Sequence, residues 1–224
     1  MFYKMNFNNN LMIKLIIFDY DGVIVDSFPN VYNVYQIICQ KLGKFCPNNL
    51  EDFKKVYGHS SSECYDQLGF TESERIKGNI IYKEEILKKD VKSFEGIIEV
   101  IKELIKNYKL IVISSSYKEE VEQKLKQFGL LKLFDFILAK ESHVGRFEKT
   151  DAIKKVMDNL AIKSNEVLLI GDRTIDFIEG SKAGLSNILL VDYGWGYDLK
   201  EIPEYKQKVL VKKPNDLLEA IKEF

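Results

Sequence analysis

Five short apolar runs, each stopping at polar or glycine residues, constrain this chain more than any other feature. They are "LIIF" (15–18), "KLIVISSS" (109–116), "FDFILAK" (134–140), "EVLLIGDR" (166–173) and "NILLVDYG" (187–194). Runs this short, rich in Ile, Val and Leu and closed by turn residues, read as buried strands. Between them lie apolar residues at helical spacing: Ile97, Ile98, Ile101, Leu104 and Ile105, then Val121, Leu125 and Phe128, then Ile153, Val156, Met157 and Leu160. Strand alternating with helix predicts parallel βαβ units, and so an α/β fold with a doubly wound, parallel Rossmann-like sheet covered on both faces. Ligands of such sheets bind beyond the strands' carboxyl ends, which is where Asp19, Ser114 and Asp172 fall.

The first crossover is too long for a single helix. About 95 residues separate Asp19 from Ser114, so something is inserted. Val31, Tyr35, Ile38 and Leu42 form one helical stripe, and further polar helical stretches run through Tyr65 and from Ile80 to Leu87. The predicted organisation is a core of residues 12–27 and 93–224, a helical cap at 28–92, and a polar extension at 1–11. That leader has neither the apolar centre nor the small-residue cleavage site of a signal peptide, and Met5 and Met12 offer later starts.

The 33 basic and 34 acidic side chains nearly cancel, which argues against broad attraction to nucleic acid or an anionic membrane. Nor does any apolar stretch approach the roughly 18 residues of a membrane span. Three cysteines, Cys39, Cys46 and Cys64, without C-x-x-C spacing suggest neither a disulfide framework nor a zinc site, and fit a reducing, cytoplasmic setting. No G-x-G-x-x-G follows any strand, so a dinucleotide-binding domain is not expected.

The first strand leads into "DYDG". Residues two apart in an extended or turning backbone point the same way, so Asp19 and Asp21 can share one pocket. Two carboxylates that close share a proton or hold a cation, and a divalent metal is the natural partner. Gly22 permits the tight turn and a ligand's approach to the backbone.

Taken together, "DYDGVIVDS", "IVIS", Lys149 and "LLIGDRTID" resemble, in order, the four motifs of the haloacid dehalogenase-like hydrolase superfamily. The helical insertion and "SKAGLSNILLVDYGWG" resemble its phosphoglycolate phosphatase and β-phosphoglucomutase branch. The resemblance implies a phosphatase, a phosphoric monoester hydrolase acting on a small phosphorylated metabolite such as phosphoglycolate, a sugar phosphate or a nucleotide. Asp19 would be the nucleophile, forming an aspartyl-phosphate, and Asp21 the general acid and base. Mg²⁺ would be held by Asp19, by the backbone carbonyl of Asp21 and by Asp172, with Asp176 supporting the metal's water shell or Lys149. Ser114, Ser115 and nearby amides, with Gly22 and Lys149, would bind phosphate. The assembly would be a monomer or homodimer, with no nucleic-acid or membrane partner.

Several positions depart from the pattern or stay open. Thr150 stands where the family usually has proline, so Lys140 is the reserve for Lys149. Thr150 is also expected to cap the following helix, as are Asp26 and Ser27 at the first inserted helix, where they would mark a hinge. Ser116 with Glu119, and Ser60 with Glu63, have the spacing of capping boxes. His59 would contact substrate or simply lie on the surface. Trp195 would line the site's opening or pack the core, and Arg173 replaces a small residue. The alternatives are a sugar phosphomutase of the same fold, although no basic loop is evident around Gly58, or a non-catalytic, receiver-like phosphate-binding module.

Overall fold

The computed structural model describes residues 13–58, 60–141, 147–196 and 211–224. The polar extension at 1–11 and His59 lie outside these residues. At the centre is β1 (Leu15–Phe18), every residue of which is fully buried. It is flanked by β4 (Lys109–Tyr117) and β6 (Val167–Gly171), with β5 (Phe136–Lys140) and β7 (Asn187–Leu190) at the edges. All pairings are parallel and the order is β5-β4-β1-β6-β7. The expected fold class is therefore observed.

Strand alternation divides the apolar residues between two layers. Ile16, Phe18, Leu110, Val112, Leu168 and Ile170 enter one cluster; Leu15, Ile17, Ile111, Ile113, Val167 and Leu169 enter the other. Helices α5 (Ile97–Leu104) and α6 (Lys118–Gln127) cover the first, α7 (Lys149–Leu160) and α8 (Thr174–Lys182) the second. A short α9 (Leu217–Ala220) returns to the first layer.

After β1 the chain makes β2 (Val25–Asp26) and then four helices: α1 (Phe28–Leu42), α2 (Leu50–Tyr57), α3 (Ser61–Gln67) and α4 (Glu72–Ile86). It comes back through β3 (Lys92–Ser93), which pairs antiparallel with β2, so the chain leaves and re-enters the core side by side. The helices enclose an aromatic cluster of Phe28, Tyr35, Phe53 and Tyr65, joined by Trp195 from beyond β7. Val31, Tyr35 and Ile38 of the expected α1 stripe are buried in it, with Leu42 partly buried.

Helix starts differ from expectation in an informative way. Ser60 does accept from the Glu63 amide at 3.2 Å, and Thr71 with Glu74 forms a full capping box. Ser27, by contrast, makes no cap hydrogen bond at α1. Ser116 lies within β4, and Tyr117 is the N-cap of α6. Thr150 lies inside α7, whose N-cap is Glu148. These three hydroxyls find acceptors elsewhere, Ser27 and Ser116 on a carboxylate; a charge-assisted hydrogen bond is stronger than a neutral cap bond. Among the described residues no helix is long and apolar enough to cross a membrane.

Candidate active site

The carboxyl ends of β1 and β6 bring three acids and one lysine together. Asp19, Asp172 and Asp176 each offer a carboxylate oxygen, all within 4.8 Å of one another, and all three residues are buried. Lys149, from the first turn of α7, places Nζ 2.7 Å from Asp19 Oδ2 and 2.6 Å from Asp176 Oδ1. Its own amide donates to Glu179 of α8 at 2.7 Å, and the Thr150 hydroxyl donates to the Glu179 carbonyl at 3.0 Å. Those two bonds tie α7 to α8 and set the lysine's direction. Lys140, the reserve for this role, instead lies over the Tyr117 ring, 5.2 Å from its centroid.

If all three carboxylates were ionised, one ammonium would leave two negative charges unbalanced. Burial raises the Asp19 carboxyl most, with Asp176 and Asp21 adding to it and Lys149 opposing, and the result is about 7. Asp172 is pushed well above the ordinary carboxylate range by burial, then by Asp176 and Asp19. Burial also disfavours the Lys149 charge, but Asp176 and Asp19 outweigh it and hold the proton more tightly than usual.

The donor set suits a hard divalent cation. Its candidate ligands are all oxygens, and Asp172 Oδ1 is buried without a hydrogen-bond partner. Asp176 is more committed: Oδ1 meets Lys149, while Oδ2 accepts from the amides of Asp172 (3.2 Å) and Arg173 (3.1 Å). Asp176 thus supports the lysine and the turn at once. Backbone approaches the acids closely, because a Cβ at Gly22 (φ +77°) would overlap the Asp172 carboxylate, and one at Gly194 would strike both Asp172 and the Gly22 carbonyl.

Asp21 occupies a different environment. Its carboxylate is not part of the three-acid group; it accepts from Ser27 at 2.5 Å and Ser116 at 2.6 Å, with Ser114 at 3.4 Å. Ser114 is buried, and its hydroxyl also accepts from the Ser116 amide at 3.0 Å. Ser115 points the other way and is exposed. Alternation along β4 puts residues 114 and 116 on one side, so period two was the available signal for Ser116. Nothing local announced Glu179, which is distant in sequence.

Trp195 joins the site to the inserted helices. Its amide donates to Asp172 Oδ2 at 2.5 Å, while its ring packs on Phe28 (4.7 Å) and Tyr57 (5.4 Å). Arg173 projects the same way, its guanidinium over Tyr57 and Trp195 and donating to the Gly58 carbonyl. An open cavity of about 550 Å³ lies to one side, lined in part by Lys83, Tyr117 and Lys140, but none of the four aspartates faces it.

A fold whose sheet order and strand-end acids look like this has known relatives. The sequence model of the haloacid dehalogenase-like hydrolases matches residues 16–190, and the chain belongs to that family. It is 23% identical to the pyrophosphatase PpaX of Halalkalibacterium halodurans over 225 residues, 93% of this chain and 97% of that one. It is also 23% identical to the phosphoglycolate phosphatase of Synechococcus elongatus over 213 residues, again 93% and 97%. A crystal structure described as a predicted phosphatase from Clostridium acetobutylicum superposes with a TM-score of 0.80 at 24% identity, covering 95% of this chain and all of that one.

Proposed function

We propose that the chain is a Mg²⁺-dependent phosphatase of a small phosphorylated metabolite, working through an aspartyl-phosphate on Asp19. The observation that carries this reading is the buried Asp19–Lys149–Asp176 network beside the unpartnered oxygen of Asp172. The names of the relatives, a pyrophosphatase and a phosphoglycolate phosphatase, agree with it. Asp19, Asp172 and the backbone carbonyl of Asp21 would hold the Mg²⁺, which supplies positive charge against the repulsion between nucleophile and phosphate.

The remaining steps belong to the chain's own residues. Lys149 favours ionised Asp19 and offers charge to the phosphoryl oxygens. An Asp19 oxygen attacks phosphorus, the bond to the leaving alcohol breaks, and Asp21 gives that oxygen its proton. Asp21, now ionised, takes a proton from water as the water attacks the aspartyl-phosphate, which frees phosphate and Asp19. Ser27 and Ser116 hold the Asp21 carboxylate in place through this exchange. Ser114 and the Ser115 amide bind phosphate. Residues 28–92 act as the cap over a core of 12–27 and 93–224, and exclude water when closed. His59 is retained as a substrate contact. All three cysteines are free, which suits a reducing cytoplasm.

Hydrolysis of p-nitrophenyl phosphate, measured with Mg²⁺ and with EDTA, tests the reading. Release that depends on the metal is expected. Equal release in EDTA overturns the metal's role, and no release from this or any phosphorylated metabolite overturns the phosphatase.

A further inference from the structure

We infer that Arg173 is a positioning residue: it fastens the Tyr57–Gly58 end of α2 to the turn that presents Asp172, and so holds the inserted helices beside the acids. What the fastening does to turnover rests on the phosphatase reading above; the fastening itself does not.

The root of this side chain cannot drift from the acids. Arg173 follows Asp172 directly, its amide donates to Asp176 Oδ2 at 3.1 Å, and its carbonyl accepts from the Asp176 amide at 3.0 Å. From that fixed root the guanidinium crosses to the inserted helices, where it donates to the Gly58 carbonyl and lies over the rings of Tyr57 (5.4 Å) and Trp195 (5.6 Å). Gly58 closes α2 at φ 62° and ψ −148°, a conformation open to few residues other than glycine, and that conformation sets where its carbonyl points. Tyr57 is the stronger handle. Its ring also meets Phe28 at 5.8 Å, Phe53 at 5.8 Å and Tyr35 at 6.0 Å, so a hold on Tyr57 is a hold on the aromatic cluster of the helices.

Trp195 is the surface against which Tyr57 is held. Its amide donates to Asp172 Oδ2 at 2.5 Å, and a Cβ on the preceding Gly194 would overlap Asp172, so this ring is tied to the core. Two paths therefore run from Asp172 to Tyr57, one through the Trp195 ring and one through the Arg173 guanidinium. Among the described residues the guanidinium's hydrogen-bond and ring partners are one carbonyl and two rings, and no carboxylate forms an ion pair with it. Parting such a contact strands no buried anion, whereas parting an arginine–carboxylate pair would, so this fastening can release and re-form. The rival explanation is an arginine that stabilises the fold and does nothing else.

Trp195 is the chain's single tryptophan and is 7% exposed, so its fluorescence reports the junction without any need of turnover. Arg173→Met keeps most of the side chain's length and loses its charge and donors. It should raise the acrylamide quenching constant of Trp195 about twofold or more, and KM for p-nitrophenyl phosphate with Mg²⁺ about tenfold, the worth of one hydrogen bond to a charged group. Because the Arg173 amide still holds Asp176, kcat should stay within about threefold. Arg173→Met and Tyr57→Leu should be less than additive in quenching, since both release the same junction. Strict additivity would mean that each merely uncovers its own part of the Trp195 ring, and would overturn the inference. So would an unchanged quenching constant, or a fall in kcat with KM unchanged. Should Arg173→Met fail to fold, Arg173→Gln, too short to cover both rings, takes its place with the same expectations. Absence of any hydrolysis by the wild type removes the phosphatase reading and the kinetic comparison with it, and the quenching measurements then decide the fastening alone.

Discussion

The sheet and the inserted helices are packed by different kinds of side chain. Around β1 the interior is Leu, Ile and Val held in register by parallel ladders, and the buried charges gather where those ladders stop. The helices are held mainly by rings, with Tyr35 and Phe53 5.3 Å apart and Phe28 and Trp195 4.7 Å apart. Branched aliphatic residues on a pleated surface fix backbone position closely, which a charge network needs if its 2.6–2.7 Å contacts are to form. In the cap role proposed above, that ring-packed layer would admit and release the ligand. The two regions meet through contacts that include Arg173 on Gly58, Trp195 against Phe28 and Tyr57, and Lys83 with Glu119.

Substitutions in the charge network should break function first and hardest. Asp19→Asn removes the proposed nucleophile, and we expect kcat to fall by about 10⁴-fold or more with circular dichroism unchanged. Mg²⁺-dependent turnover persisting in that variant would refute the mechanism. Lys149→Met leaves Asp19 and Asp176 buried without their counter-charge, which costs roughly 3–5 kcal/mol in urea unfolding. A cost near zero would mean that the acids are neutralised some other way.

How much of this was legible beforehand depends on the range over which each signal acts. All five strands of the main sheet could be read locally, because about four apolar residues and a closing turn are contiguous in each. The acids at the ends of β1 and β6 follow from the same register. The motif order already prefers Lys149 to Lys140, and the packing of α7 on α8 shows how its ammonium reaches Asp19 while Lys140 lies over Tyr117. The caps expected at Ser27 and Ser116 misled for a related reason: the spacing was right, but Asp21, a stronger acceptor, lay close in space.

Titration gives an intermediate effect with a definite sign. In the metal-free protein the Asp19 carboxyl is raised from 3.8 to about 7, so the native state binds a proton that the unfolded chain releases between those values. Its contribution to stability is full below 3.8 and is lost as the pH rises through about 7, a change on the order of a few kcal/mol. Unfolding in EDTA should accordingly be easier at pH 8 than at pH 5. Added Mg²⁺ should stabilise more at pH 8, where it no longer competes with that proton. A metal effect that is larger at pH 5 would contradict the placement of Asp19 beside the ion.

The smallest effects separate the two regions most cleanly. Ser116→Ala takes one of the hydroxyls from the Asp21 carboxylate but leaves Ser27 bonded to it, so the acid keeps its place imperfectly. We expect kcat to drop about tenfold, the worth of one hydrogen bond to a charged group, with little change in unfolding midpoint. Thr71→Ala acts in the opposite sense. It deletes the capping box of α4, away from the acids, and should cost about 1 kcal/mol of stability while kcat for p-nitrophenyl phosphate stays within twofold. If Thr71→Ala slowed turnover as much as Ser116→Ala does, the helices would be part of the chemical step and the division between a rigid catalytic layer and an adaptable covering layer would fail.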